Sequence, residues 1–361
     1  MIRGMTASIA QAILGSLAGL TIATVGVPAD TALTAPAPES GLTAAAPLSQ
    51  ASLPRPEAPD GPDGVDGADG ADGAAHRPAA EEPAGQSGTL DYWTPERMAS
   101  AVPRGSLLGG VVDALPPLPP LSGASPETQG APVPTSTGRR WTGGGRVVAT
   151  TGRVFLRMDG GDYTCSASVV DAENRDTVLT AGHCLKDGRG SWADNWMFVP
   201  GYDNGVEPYG RYPARKLVVS PRWSRGADDS YDFGFAVLDT DRSGGHVADR
   251  TGTQRIVFSD RVADRVYSFG YPSVSPYRGR HLHYCSGPTT PDRNGTAGAG
   301  MRCEMTQGSS GGPWFADFDA GAGTGTITSV VSFKYANDPD VQYGPRLGAE
   351  ANRVYDTAQA L

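Results

Sequence analysis

Gln307-Gly308-Ser309-Ser310-Gly311-Gly312-Pro313-Trp314 is the stretch on which the reading of this chain turns. Glycine lets a backbone approach a bound group and take dihedrals that other residues avoid. With Gly308 two residues ahead of Ser310, the N–H groups of Gly308 and Ser310 can converge on one point beside a hydroxyl. That is what a serine nucleophile with an oxyanion hole requires. Taken alone, the stretch is also an ordinary Gly/Ser turn.

Two upstream segments change its weight. Thr180-Ala181-Gly182-His183-Cys184 follows an apolar run, so His183 sits where a strand ends. Tyr231-Asp232-Phe233-Gly234-Phe235-Ala236-Val237-Leu238 puts Asp232 at the mouth of an apolar strand. A carboxylate there is costly unless hydrogen-bonded, and an imidazole N–H is one partner that would also gain a fixed tautomer. Asp228 and Asp229 compete for that role from a polar loop further from the strand. The order along the chain is His183, Asp232, Ser310. Subtilisins run Asp, His, Ser and α/β-hydrolases Ser, Asp, His, so neither order fits.

Around these segments, short apolar runs recur between Gly, Asn, Asp and Pro. They include 146–149, 154–158, 167–170, 177–180, 197–200, 215–219, 233–238, 255–258, 265–271 and 326–333. Their length and their Val, Phe and Tyr content predict antiparallel strands of an all-β sandwich or barrel. Only 348–361, with Ala, Glu, Gln and Leu and no Gly or Pro after Gly348, predicts a helix.

The three segments, in this order and at this spacing, resemble the chymotrypsin-like (trypsin-like) serine peptidases over residues 145–361. The resemblance implies two six-stranded antiparallel β-barrels with the site in the cleft between them and a C-terminal helix. It implies a triad of His183, Asp232 and Ser310, with the Gly308 and Ser310 amides as oxyanion hole. Gln307 and Ser332-Phe333-Lys334 would bind substrate, and no metal or organic cofactor is required. Four cysteines allow three pairings; the family fold brings Cys165 close to Cys184 and Cys285 close to Cys303. A Cys165–Cys184 bridge would close a loop of about 20 residues, worth roughly 3 kcal/mol, beside His183. Animal trypsins carry an Asp before the nucleophile that pairs with a new N-terminus. Ser309 stands there, so activation by that ion pair is not expected. The bacterial secreted branch, which includes glutamyl endopeptidases, is the nearer match. Val331 holds the place of the His with which those enzymes bind a Glu side chain. Glu304 lies six residues before Ser310, where trypsins carry their specificity acid; it either favours Arg or Lys or faces elsewhere beside Cys303. His281 and His283 share a strand face without a third metal ligand and read as surface residues.

The rest of the chain differs in kind. Residues 31–140 hold 18 of the 30 prolines, 14 glycines and only two aromatics, Tyr92 and Trp93. Such a segment cannot offset its ordering entropy by apolar burial and predicts a disordered pro-segment or linker over 30–140. It contains a Gly-x-Asp repeat over 61–73 and a Pro/Leu-rich run over 111–121. Arg139-Arg140 closes it, as a processing junction or an incidental pair. Before it, Arg3, an apolar stretch and Val27-Pro28-Ala29 predict a signal peptide over 1–29, with a retained membrane anchor as the alternative. The net charge of −9 falls mainly on residues 1–140, leaving 141–361 near neutral with no basic field for nucleic acid. The expectation is a secreted, disulfide-bonded, monomeric endopeptidase made as a zymogen, acting on proteins or peptides and free of the membrane once its signal is cut. The alternative is a catalytically silent homologue that serves as an extracellular binding module.

Overall fold

Strands outweigh helices in the part of the chain that the computed structural model describes, residues 73–79, 83–108, 133–241 and 243–361. All of these belong to the unit Pro62–Leu361. The expected signal peptide, most of the Gly-x-Asp repeat and the run over 111–121 lie outside the described residues.

In chain order the elements begin with β1 (Ala75–Pro78), α1 (Pro83–Tyr92), α2 (Pro95–Ser100), β2 (Val102–Pro103), β3 (Ser106–Leu108), β4 (Ser136–Arg140) and α3 (Arg146–Thr150). Then come β5 (Thr151–Met158), β6 (Gly161–Val169), β7 (Thr177–Thr180), β8 (Asp194–Pro200), β9 (Tyr212–Val219), α4 (Pro221–Gly226) and β10 (Gly234–Leu238). These strands pair antiparallel in the order β5-β6-β7-β10-β9-β8, and β8 returns to β5, so the six form a closed barrel.

The second sheet follows α5 (Val247–Thr251). Its strands are β11 (Arg255–Ile256), β12 (Arg265–Gly270), β13 (His283–Pro291), β14 (Ala299–Arg302), β15 (Pro313–Asp319), β16 (Thr324–Val330), β17 (Phe333–Tyr335) and β18 (Asp338–Gly344). The chain ends in α6 (Ala349–Gln359). The order is β11-β16-β15-β12-β13-β14-β18-β17-β3, with β4 on β13. The second barrel expected from the resemblance is thus a ten-stranded sheet here. Two of its strands, β3 and β4, come from the stretch before residue 141.

Strand β10 shows why the runs are continuously apolar rather than alternating. Ala236 and Leu238 point into the barrel with Val154, Leu156 and Leu217. Phe235 and Val237 point the other way, onto Val218, Phe269, Phe315 and Val354 between the sheets. Successive residues face opposite sides of a strand, so both faces here are buried. Each such side chain contributes about 1.5–3 kcal/mol on leaving water. Helix α6 adds Ala351, Val354 and Ala358 to the same layer, three and four residues apart on one face.

Two expectations are corrected. Residues 146–149 are not a strand but the start of α3, where the N–H groups of Arg146 and Val147 donate to Ala322 and Gly323. A short apolar run reads the same in either conformation. The stretch 30–140, expected to be disordered, holds ordered pieces as well. Strand β1 pairs with β9, and Trp93 is fully buried against Phe155, its Nε1 donating to Asn195 O at 2.6 Å. Arg139 and Arg140 lie within β4, paired with Tyr284 and His283, so the dibasic site sits in a ladder and not in an open linker.

Candidate active site

His183 lies in a single 3-10 turn directly after β7, and Asp232 lies just before β10, the neighbour of β7. The pairing of Gly234 with Thr180 brings the two strand ends together. The Asp232 carboxylate accepts from the His183 backbone N–H at 2.7 Å and pairs with Nδ1 of the ring at 2.8 Å. The Ser332 hydroxyl donates to the same carboxylate at 2.5 Å. Asp232 is fully buried. Burial alone would raise its carboxyl, but the His183 charge and these hydrogen bonds outweigh it and hold the group below its ordinary range. Asp229 sits in the turn before it, its carboxyl pushed up to about 6 by burial first and then by the Asp232 charge. Of the three competing acids, only Asp232 bonds the imidazole.

Ser310 stands at the start of the second sheet, three residues before β15. Its loop needs its glycines. Gly308 has φ +95, and a Cβ there would lie 2.5 Å from Ser273 Oγ and 2.8 Å from Tyr271 O. The Gly308 N–H donates at 3.1 Å to the carbonyl oxygen of Arg104, and the Ser310 hydroxyl donates to that same oxygen at 3.3 Å. The His183 Nε2 is buried without a hydrogen-bond partner among the described residues. The disulfide Cys165–Cys184 fixes the backbone beside His183, and Cys285–Cys303 ties β13 to the chain entering the nucleophile loop.

Two polar side chains escaped the sequence reading. Ser166, next to Cys165, donates to Gly308 O at 2.9 Å and accepts from the Tyr271 N–H at 2.9 Å. Its own N–H donates to Ser310 O at 2.7 Å, so one residue of the barrel holds both ends of the oxyanion loop. Gln342 on β18 donates to Ser309 Oγ at 3.3 Å, and Ser309 Oγ donates to Thr306 O at 2.7 Å. That bracing stands where an N-terminal ion pair would otherwise act. The signal in both cases was a polar side chain that turns out to be buried, and it becomes specific only once the strands are placed.

The pocket beside Ser310 is lined by Met305, Thr306, Gln307, Val331, Ser332, Phe333, Lys334 and Gln342, among others. Gln307, Ser332, Phe333 and Lys334, expected to bind substrate, are among its lining residues. Glu304 does not: it is exposed, and Met305 takes the pocket position. The Arg or Lys preference expected from its spacing has no support in this geometry. Lys334 Nζ turns to the carbonyls of Cys303 and Pro339, both at 2.6 Å, and burial pushes it down to about 8. His283 is not on the surface as expected but buried, its Nδ1 against His281 O, and His281 pairs with Asp203, so the two His do not converge on one site.

Comparison with known proteins agrees with this architecture. The family model described as a trypsin-like peptidase domain matches residues 165–322. The crystal structure of the protease Anisep from Arthrobacter nicotinovorans is 40% identical, with a TM-score of 0.56, covering 59% of this chain and 96% of that one. That of a thermostable serine protease, AL20, from an extremophilic microorganism is 39% identical, with a TM-score of 0.56, covering 60% and 99%. A Glu endopeptidase at 18% identity and a TM-score of 0.51 shares the fold. An extracellular metalloprotease of Bacillus subtilis is 33% identical over 76 residues, which span 21% of this chain and 23% of that protein. Its name implies a metal. Among the described residues the one cluster with ligand spacing is Cys165, His183 and Cys184, whose two sulfurs are already bonded to each other and cannot act as thiolate ligands. This chain is homologous to serine proteases, and it belongs to the trypsin-like peptidase family.

Proposed function

We propose that this chain is a secreted serine endopeptidase that hydrolyses peptide bonds through an acyl-enzyme on Ser310. His183 Nε2 takes the Ser310 proton as the hydroxyl attacks a peptide carbonyl, then returns it to the departing amine. Asp232 keeps the proton of the neutral ring on Nδ1 and stabilises the imidazolium that forms. The Gly308 and Ser310 amides receive the oxyanion, where each donor is worth a factor of about 10²–10³.

The observation that carries this reading is one constellation. A buried carboxylate grips the imidazole at 2.8 Å, and the Gly308 N–H and Ser310 hydroxyl meet at a peptide carbonyl, 3.1 and 3.3 Å from its oxygen. Secretion is supported by two disulfides, which persist in oxidising compartments, and by a relative named as extracellular. No helix among the described residues is long and apolar enough to cross a membrane. The primary pocket takes an uncharged side chain: Met305 and Val331 are among its lining, no carboxylate lines it among the described residues, and its one cation, Lys334, is turned to the carbonyls of Cys303 and Pro339. The test is digestion of an unfolded protein substrate by wild type and by Ser310→Ala of unchanged circular dichroism. Loss of digestion is expected, and equal digestion by the variant contradicts the mechanism. Cleavage mapping should find uncharged residues before the cut; a dominant Arg, Lys or Glu there would contradict the pocket reading.

A further inference from the structure

We propose that residues 102–108 are a built-in strap that keeps the cleft closed, and that the strap resists the chain's own chemistry because it lies in the cleft backwards. The inference rests on the catalytic reading above and adds a regulation of the same site.

The strap touches the nucleophile, the oxyanion donor, the His183 backbone and the primary pocket. Strand β2 lies on β6, Val102 opposite Tyr163 and Pro103 opposite Thr164. The Arg104 N–H donates to Thr164 O at 2.9 Å. Its carbonyl takes the Gly308 N–H and the Ser310 hydroxyl, so the oxyanion donor and the nucleophile are both occupied. Its guanidinium bonds His183 O at 3.0 Å through Nε and the Asp187 carboxylate at 2.5 Å through a terminal nitrogen. Gly105 lies at the mouth of the primary pocket, where a Cβ would meet the Gln307 side chain at 2.5 Å. Strand β3 then runs along β17, Ser106 opposite Phe333 through Leu108 opposite Tyr335. With glycine at the mouth, residue 105 closes the pocket with backbone alone.

Its direction argues against cleavage. Both pairings, with β6 and with β17, are parallel. The chain enters over the barrel that carries His183 and leaves over the second sheet. In an attack on the Arg104 carbonyl the acyl part, up to residue 104, would lie on the His183 side. The departing Gly105 amine would lie on the far side, over β17. A proton delivered by His183 needs the opposite arrangement, with the amine towards the barrel. The bond is thus presented to Ser310 with its leaving group turned away from the acid.

The upstream chain holds the strap in place. Strand β1 adds to β9, Trp93 and Met98 are buried with Phe155, Met197 and Val199, and Tyr92 OH donates to Asp162 at 2.6 Å. Anchored this way, the strap faces the cleft as an intramolecular ligand at an effective concentration of order millimolar, which a dilute substrate does not displace.

The test measures hydrolysis of a fluorogenic peptide by the full chain, in wild type, Arg104→Ala and Val206→Ala, before and after brief digestion with an added peptidase that removes the region ahead of residue 133. Wild type should be nearly silent before digestion and gain at least tenfold after it. Arg104→Ala, which loses the bonds to His183 O and Asp187, should be at least tenfold faster than wild type before digestion. Val206, exposed and outside the strap, should tolerate Ala without change. Intact wild type as fast as the digested form would overturn the strap while leaving the catalytic reading standing. Silence of every form would remove the catalytic reading, and with it the strap as a regulator. Amide exchange is the second measurement: residues 331–335 should lose protection in Arg104→Ala, and unchanged protection overturns occupancy. Mass spectrometry tests the direction. The Arg104–Gly105 bond should survive many turnovers of added peptide. A fragment beginning at Gly105, formed at a rate independent of protein concentration and absent from Ser310→Ala, would overturn the backward threading.

Discussion

Replacing Asp232 by Asn separates orientation of the imidazole from every other contribution. The carboxylate accepts three hydrogen bonds, from the His183 N–H, the His183 ring and the Ser332 hydroxyl, at 2.7, 2.8 and 2.5 Å. The amide oxygen of Asn can keep the first. Its NH2 then faces His183 Nδ1, which must turn from donor to acceptor. The ring proton moves to Nε2, the nitrogen that has to receive the Ser310 proton, and the base is blocked. The expected loss in kcat is about 10⁴, or about 5.4 kcal/mol of transition-state stabilisation. The lost charge-assisted bonds cost about 1.5–3 kcal/mol of fold stability, so the variant should still be folded at room temperature. The assay is kcat and KM on a peptide substrate in an Arg104→Ala background, with thermal unfolding alongside. A fall confined to kcat is expected. A folded variant within tenfold of its parent would refute the assigned role of Asp232.

The other predictions concern the supports of the site. Ser166→Ala leaves the Gly308 carbonyl and Tyr271 N–H without their side-chain partner, and should lower kcat/KM by about 10- to 100-fold and stability by about 1–3 kcal/mol, read by kinetics and by urea unfolding. Gly308→Ala forces a Cβ onto Ser273 and Tyr271 at φ +95, and should cost at least a hundredfold in kcat with a lower Tm. Replacing both Cys165 and Cys184 by Ser should cost about 3 kcal/mol, the closure entropy of their loop, and an unchanged Tm would contradict this. Asp229 titrates near 6 in the fold against about 3.9 unfolded, so its burial costs nothing below pH 4 and its full penalty above pH 6. Asp229→Asn should therefore raise Tm at pH 8 and leave it unchanged at pH 4. Asp232 has the opposite sign: its stabilisation is complete above its unfolded value and fades as pH falls through its depressed one.

The legible part of this chain was the part fixed by local chemistry. Gly308, Gly311 and Gly312 announce a backbone that other residues could not follow, and the apolar run 233–238 announces a strand buried on both faces. What the sequence hid depends on distant pairings. The stretch 146–149 is helical because its N–H groups find Ala322 and Gly323. Glu304 lies one residue from the pocket position, and a one-residue offset moves a side chain to the other face of an extended chain. The ordered pieces within 73–108 were hidden for a different reason. Their stretch is too poor in apolar residues to fold alone, yet a few of them, Trp93 and Met98 above all, are enough to dock it on a barrel that is already built. Composition reports whether a segment can make its own core, and says nothing of a core that it borrows.

The central claim is that Ser310 is a nucleophile activated by His183. A fluorophosphonate added to the Arg104→Ala protein, followed by peptide mapping, tests it most directly. One adduct, on Ser310, lost in the His183→Ala variant, is the predicted result. No adduct on a folded protein, or equal labelling when His183 is replaced, would contradict it.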